Sequence, residues 1–142
     1  MPIIIDSNII IAALIKDSTT RKLIIDLYPD VYFQEEMLKE INKHKNIIKK
    51  KARIDEQEFG DIFHNLFRYI KILPNEKIIE NKEKAMGIMQ GIDPEDYLLL
   101  AAAFCFDNAV IWSDDPHLKK QTVIKTCTTA EIIKNINMFL TH

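Results

Sequence analysis

The chain contains 142 residues, of which 47% are hydrophobic and 28% are charged. That length suits one domain around one hydrophobic core, and the composition is typical of a globular protein rather than a disordered one. The formal net charge of −2 excludes a protein that binds nucleic acid over its whole surface. Any nucleic-acid contact must therefore come from a local basic patch.

The N-terminal segment has no feature of a secretion signal. Asp6 interrupts the first apolar run after Ile5, and no basic residue precedes that run. No apolar stretch elsewhere reaches the roughly 20 residues that a membrane-spanning helix needs. We therefore expect a cytoplasmic protein with no membrane partner.

Short apolar runs alternate along the chain with segments of helical periodicity. In the first half, the predicted order is a strand at 3–5, helices at 7–15 and 21–27, a strand at 31–33, and helices at 34–50, with a break near Asn46, and 55–67. In the second half, it is a strand at 70–73, helices at 75–90 and 93–106, strands at 109–112 and 123–124, and a helix at 128–140. This alternation predicts a single α/β domain over residues 1–142, a three-layer α/β/α sandwich with a parallel sheet.

Acidic residues follow two of the predicted strands directly. Asp6 ends the first strand, and Asp114 and Asp115 follow the strand that ends at Trp112. In open parallel sheets, ligands bind beyond the carboxyl ends of the strands, near the point where the strand order reverses. If the two strands are neighbours, these carboxylates meet at one edge, and the helical acids Glu40 and Asp96 can reach the same place.

Several carboxylates brought close together need a positive counter-charge to remain ionised. Mg²⁺ or Mn²⁺ supplies that charge and prefers oxygen ligands. Such an ion activates a bound water and neutralises charge that develops on a phosphodiester oxygen. The acids therefore favour metal-dependent hydrolysis of a phosphodiester.

Each acid also has an ordinary structural explanation. Asp6 can cap the helix that follows it. Asp93, Pro94 and Asp96 form a good helix start by themselves, close to a capping box. Glu40 can be a solvated helical residue, and Asp114-Asp115-Pro116 can be a turn.

The order of the acidic motifs resembles that of the PIN-domain family. There, an apolar strand ends in Asp, a helical Glu follows, an Asp opens an alanine-rich helix, and a later strand ends in Ser/Thr-x-Asp. This chain has Asp6-Ser7-Asn8, Glu40-Ile41, Asp96 before Ala101–Ala103, and Ser113-Asp114-Asp115, in that order over nearly its whole length.

The resemblance implies a Rossmann-like fold and an Mg²⁺- or Mn²⁺-dependent nuclease acting on single-stranded RNA. By position in the motifs, the catalytic and metal-binding acids are Asp6, Glu40, Asp96 and Asp115. The supporting polar positions are Asn8, Ser113, Asp93 and Asp114.

Two positions in the resemblance have rivals. Asp114 occupies a place that is often a small residue, so either Asp114 or Asp115 can be the inner ligand, and we favour Asp115. Glu35 and Glu36 compete with Glu40, which we favour because an Ile follows it as in the family pattern.

Small single-domain relatives in this family are often VapC-type toxins of toxin–antitoxin pairs, which a partner protein holds inactive. The resemblance therefore implies a toxin role with an antitoxin as partner. Exposed apolar helix faces suit either an antitoxin or a homodimer, and periodicity does not choose between them.

A basic stretch follows Glu40. Its members Lys43, Lys45, Lys49 and Lys50 can form a groove that holds the RNA backbone. The alternative is a solvated helix end, where positive charge is favourable near the C-terminus.

Two other functions compete with the nuclease. A receiver-type phosphoacceptor domain also gathers acids at strand ends, but it requires a paired-acid start that Asp6-Ser7-Asn8 does not provide. A catalytically silent RNA-binding or scaffold module predicts a broken set of acids, and all four are present.

Overall fold

The computed structural model describes residues 1–15, 19–92 and 96–140. Within these ranges one sheet contains the strands β1 (Ile3–Ile5), β2 (Val31–Gln34), β3 (Lys71–Leu73), β4 (Val110–Trp112) and β5 (Thr126–Cys127). All pairings are parallel, and the strand order is β3-β2-β1-β4-β5. The chain builds one side of the sheet outward from β1 and then returns to build the other side from β4. The strand order therefore reverses between β1 and β4.

Helices connect the strands. They are α1 (Ser7–Ile15), α2 (Thr19–Asp26), α3 (Leu38–Lys43), α4 (Lys45–Ala52), α5 (Glu56–Phe67), α6 (Asn75–Ile78), α7 (Lys82–Met89), α8 (Tyr97–Ala103), α9 (Thr129–Lys134) and α10 (Ile136–Phe139). Short 3₁₀ segments cover Glu35–Met37, Ile79–Asn81 and Pro116–Lys120. No helix in the described ranges is both long enough and apolar enough to cross a membrane.

Both faces of the sheet are buried, as the continuous isoleucine run of β1 predicts. Ile3 and Ile5 belong to a core shared with α1, α2, α4, α5, α9 and α10, whereas Ile4 belongs to a second core with α6, α7 and α8. All three isoleucines are fully buried. The predicted three-layer α/β/α arrangement with a parallel sheet is therefore confirmed.

Three predicted helices are divided, and at each division a polar side chain bonds to a main-chain carbonyl. His44 ends α3, and its ring Nδ1 lies 2.7 Å from the carbonyl oxygen of Glu40. Asn135 separates α9 from α10 and donates from Nδ2 to the carbonyl of Glu131 at 3.0 Å. Asn81, at the end of a 3₁₀ segment, donates to the carbonyl of Ala101 in α8. The break predicted near Asn46 thus falls two residues earlier.

The strand predicted at 123–124 is wrong. The last strand is β5, three residues later, and Val123 is 56% exposed. The reason is Gln121, whose side-chain oxygen accepts from the N–H groups of Val123 at 3.0 Å and Ile124 at 2.9 Å. Those two N–H groups are thereby occupied and do not join the ladder.

Two predicted helix starts fall partly outside the described residues. The capping cluster before α2 includes Asp17 and Ser18, and the start of the helix predicted at 93–106 includes Asp93, Pro94 and Glu95. Within the described part, α8 ends at Ala103 rather than at 106.

Candidate active site

Asp6 lies at the centre of the carboxyl edge of the sheet. It directly follows β1, and its N–H donates to the carbonyl of Trp112 in β4 at 3.0 Å. The Oγ of Ser113, which directly follows β4, donates to Asp6 Oδ2 at 2.6 Å. The two residues thus meet where the strand order reverses, which is where open parallel sheets bind ligands.

The Asp6 carboxylate is in an environment that opposes its ionisation. The side chain is buried, and this burial raises the pKa of Asp6 above its ordinary value. Hydrogen bonds from Ser113 and from the N–H of Asn8 lower the pKa, whereas the charge of Asp115 raises it. The net result is a raised pKa, so a positive charge entering the site would stabilise the ionised form.

The helix-cap explanation of Asp6 accounts for only part of its contacts. Asp6 Oδ1 accepts from Ser7 Oγ and from the N–H of Asn8, each at 3.4 Å. These distances are long for hydrogen bonds, and the contact with Ser113 is much shorter. The strongest interaction of Asp6 is therefore across the sheet and not with α1.

Asp6 opens into a cleft of about 540 Å³ between the sheet edge and the surrounding helices. The lining includes Asp6, Ser7, Asn8, Gln34, Met37, Glu40, Lys43, Asp96, Tyr97, Leu98 and Leu99. Two of the predicted acids, Glu40 and Asp96, thus share the cleft with Asp6. The predicted polar residue Asn8 also lines it, exposed to solvent.

Glu40 projects from α3 and lies 3.2 Å from Lys43 Nζ one turn later. Its two rivals are directed elsewhere. Glu35 accepts from the N–H of Asn75 at 3.3 Å, and Glu36 lines a different, smaller pocket beside α6. This arrangement favours Glu40 among the three glutamates.

Asp114 and Asp115 point to different neighbours. Asp114 accepts from the N–H of Thr129 at 2.7 Å and from its hydroxyl at 2.9 Å, at the start of α9. Asp115 contacts His117 through the main-chain N–H and the ring, each at 3.0 Å, and its own N–H donates to Ser113 Oγ at 3.1 Å. Asp115 is also the residue whose charge raises the pKa of Asp6. Of the two, Asp115 is the one coupled to Asp6, although neither is among the residues that line the cleft.

The donor atoms of the cleft fit a hard divalent cation in chemistry, since carboxylate and amide oxygens predominate. Their spacing is wider than a full ligand shell requires. Among residues 1–15, 19–92 and 96–140, no three His, Cys, Asp or Glu side chains are grouped closely enough to hold one ion. Mg²⁺ commonly takes only one or two direct carboxylates and keeps several waters, so the residues present can hold it partly through water.

The basic stretch divides into two parts. Lys43 lines the cleft, whereas Lys45 and Lys49 form ion pairs with Glu56 of α5, the latter at 2.7 Å. Lys50 is exposed on α4. Of the four predicted RNA-binding lysines, the structure therefore brings Lys43 to the acids and directs Lys45 and Lys49 toward α5.

Asp93, the additional acid of the predicted site, lies outside the described residues. Gln34 is a cleft residue that the sequence analysis assigned to a helix. It is the last residue of β2, is fully buried, and lines the cleft beside Asp6. The available signal was its position directly after the predicted strand 31–33, which corresponds to that of Asp6 after the strand 3–5.

The fold and the cleft define a parallel α/β protein with an acidic site at the point where the strand order reverses. The sequence model of the PIN domain matches residues 4–136, and the chain belongs to the PIN-domain family. PIN domains are generally nucleases that use divalent metal ions. No curated protein and no solved structure is similar enough to the chain to count as a match.

Proposed function

We propose that this protein is an Mg²⁺- or Mn²⁺-dependent endoribonuclease that hydrolyses phosphodiester bonds of single-stranded RNA. The observation that supports it most is the buried Asp6 carboxylate, bonded to Ser113 and facing a cleft that also contains Glu40 and Asp96. A buried acid with a raised pKa, next to other acids, is typical of a functional site rather than of a surface cap.

In this proposal, Asp6, Glu40, Asp96 and Asp115 hold the metal ion, which when bound activates water and neutralises charge on the phosphodiester. Ser113 orients Asp6, and Asn8 adds a polar group at the rim of the cleft. Asp93 and Asp114 are assigned supporting roles, and the bonds of Asp114 to Thr129 direct that role toward the start of α9.

Lys43 is the cation best placed to bind the RNA backbone, because it lines the same cleft as the acids. Lys45, Lys49 and Lys50 would extend that contact along α4. The first two must leave Glu56 before they can bind a phosphate.

The test is cleavage of end-labelled single-stranded RNA and DNA of the same sequence, with Mg²⁺, with Mn²⁺ or with EDTA. We expect RNA cleavage that requires the metal and that Asp6→Asn abolishes. Asp55→Asn is the matched control, because Asp55 caps α5 by accepting from the N–H of Glu58 at 2.8 Å. Asn preserves such a cap at little cost in stability.

Metal-dependent cleavage retained by Asp6→Asn would refute the proposed site. Binding of single-stranded RNA without cleavage in any metal would instead support a catalytically silent binding module. The receiver-type alternative loses its basis because the chain belongs to the PIN-domain family.

We further propose that the biological role is that of a toxin in a toxin–antitoxin pair, which rests on the resemblance to small members of the family. Induced synthesis should arrest growth of a bacterial host, Asp6→Asn should not, and co-expression of the antitoxin should restore growth. Apolar side chains exposed on the surface, such as Ile79, at 60%, and Met138, at 59%, would serve that partner or a homodimer. Size-exclusion chromatography with light scattering tests the homodimer.

A further inference from the structure

Gln34 is a buried amide that the fold positions but does not use. Its main chain belongs to β2 and pairs with Leu73 of β3, and its side chain is fully buried. Neither Nε2 nor Oε1 has a hydrogen-bond partner among the described residues. Because a buried polar group without a partner is costly, such a group is commonly matched by a water, an ion or a ligand that binds to it.

The sheet register places Gln34 beside Asp6. Ile4 of β1 pairs with Tyr32 of β2, so Asp6 and Gln34, each two residues further along, occupy equivalent positions on neighbouring strands. Adjacent strands lie about 4.8 Å apart, and residues at equivalent positions face the same side of the sheet. Both residues line the same cleft, where Nε2 and Oε1 of Gln34 are covered by neighbouring side chains. A ligand at Asp6 therefore lies next to Gln34 and reaches the carboxamide when the side chains that cover it move aside.

A second buried glutamine shows how differently the fold treats Gln34. Gln121 is also buried, but its Nε2 donates to the carbonyls of Leu118 and Ile124 and its Oε1 accepts from two N–H groups. The fold therefore uses the whole carboxamide of Gln121 for its own structure. Gln34 keeps both its donor and its acceptor for the cleft.

An amide with a donor and an acceptor side by side matches the backbone of RNA better than that of DNA. A phosphate oxygen accepts hydrogen bonds, and the ribose 2′-hydroxyl next to it can donate one. Deoxyribose lacks the hydroxyl, so the DNA backbone offers only acceptors and would leave Oε1 unmatched. Lys43 in the same cleft supplies a positive charge for the phosphate.

We propose that Gln34 distinguishes RNA from DNA, with Nε2 donating to a backbone phosphate oxygen and Oε1 accepting from a 2′-hydroxyl. This inference rests on the proposed function only in that a single-stranded nucleic acid enters the Asp6 cleft. It names the residue that selects the sugar, whether or not cleavage follows.

The test compares binding of a fluorescein-labelled single-stranded RNA and the DNA of the same sequence, measured by fluorescence anisotropy with Ca²⁺ in place of Mg²⁺. Wild type should prefer RNA. Gln34→Leu should reduce the ratio of RNA to DNA affinity by about 3- to 10-fold, the effect of one hydrogen bond. Most of the loss should fall on RNA.

Thermal unfolding of the same variant separates substrate recognition from a structural role. Gln34→Leu should keep or raise the melting temperature, because it removes a buried amide that lacks a partner in the described fold. Gln121→Leu, the matched control, should lower the melting temperature by several degrees and leave the RNA-to-DNA ratio unchanged.

Three outcomes would overturn the inference: no RNA preference in wild type, an equal loss for RNA and DNA in Gln34→Leu, or destabilisation of Gln34→Leu as large as that of Gln121→Leu. Failure of the nuclease proposal has a different signature. It would appear as an absence of cleavage with Mg²⁺ and Mn²⁺ while the RNA preference and its dependence on Gln34 remain.

Discussion

Replacing Ser113 with Ala tests the hydrogen bond that orients Asp6. The Ser113 hydroxyl is fully buried, donates to Asp6 at 2.6 Å and accepts from the N–H of Asp115 at 3.1 Å. A hydrogen bond to a charged group contributes about 1.5–3 kcal/mol, and the lost acceptor for Asp115 adds to that. We therefore expect Ser113→Ala to lower the free energy of unfolding by at least about 1.5 kcal/mol at neutral pH, as measured by urea denaturation.

The same substitution should change the pH dependence of cleavage. Because the Ser113 hydrogen bond lowers the pKa of Asp6, its removal raises that pKa further. More alkaline conditions are then needed to ionise Asp6, so the acidic limb of the kcat/KM profile should move to higher pH. The assay is RNA cleavage across a pH series with a fixed metal concentration.

Ser7→Ala is the matched control for this prediction. The Ser7 hydroxyl also donates to Asp6, but at 3.4 Å, and it is the smallest influence on the pKa of that carboxyl. Its removal should change the free energy of unfolding by no more than about 0.5 kcal/mol and leave the pH profile in place. Equal effects of Ser113→Ala and Ser7→Ala would refute the description of Asp6 as bonded mainly across the sheet.

Three other substitutions give distinct signatures. Because burial raises the pKa of Asp6, the folded protein retains the proton of this carboxyl to a higher pH than the unfolded chain does. In EDTA, the free energy of unfolding should therefore fall as the pH rises from 3.8 through the raised pKa. The variant Asp6→Asn should not show this fall. Lys43→Ala should weaken RNA binding and reduce the salt-dependence slope by about 1, whereas Lys22→Ala, which removes the same charge from α2, should do neither. Contacts with Lys119 and Thr128 lower the pKa of Glu131 to about 2. The contribution of Glu131 to stability is therefore complete above pH 4.5 and is lost as the pH falls toward 2. The variant Glu131→Gln should be less stable than wild type above pH 4.5, and its stability should depend less on pH between about 2 and 4.5.

Each of these three predictions has an outcome that would contradict it. A wild-type free energy of unfolding that rises with pH in that window, relative to Asp6→Asn, would contradict the raised pKa. An equal loss of RNA binding in Lys43→Ala and Lys22→Ala would indicate a diffuse charge effect. Identical urea-unfolding profiles for Glu131→Gln and wild type between about pH 2 and 4.5 would contradict the lowered pKa of Glu131.

Strong local patterns were enough to predict the centre of the fold. The isoleucine run of β1 is buried on both faces, and the helix predicted at 55–67 is α5, which Asp55 caps in a capping box. Such elements need little tertiary information because their own periodicity and caps define them. The confirmed parallel sheet then follows from helices that return each strand to the same sheet, whereas its strand order was not predicted.

The helix breaks and the last strand depend on contacts that sequence periodicity does not reveal. His44 and Asn135 each bond to a carbonyl four residues earlier, and an amphipathic pattern continues through both positions. Gln121 diverts the apolar pair Val123 and Ile124 out of the sheet in the same way. In all three cases a polar side chain competes with regular main-chain bonding.

Within the candidate site, placing Asp6 and Ser113 together required only that their two strands be neighbours. The position of Gln34 directly after a predicted strand was visible in the sequence, but its role was not. Its significance comes from lacking a partner, and that is visible only once the side chains around it are placed. A glutamine that begins a charged segment otherwise looks like an ordinary polar residue.

The two walls of the cleft differ in how firmly the fold holds them. Gln34 ends β2, and Asp6 and Ser113 directly follow β1 and β4; the hydrogen bonds of these strands at the centre of the sheet should open only with global unfolding. Asp96 precedes α8, in which residues 98–103 are all buried in the second core. Glu40 stands on α3, a helix of six residues in which Ile41 is the buried one. Local opening of α3 would therefore move Glu40 while the sheet and α8 stay in place, so the distance between Glu40 and Asp6 can adjust to a cation or a nucleotide.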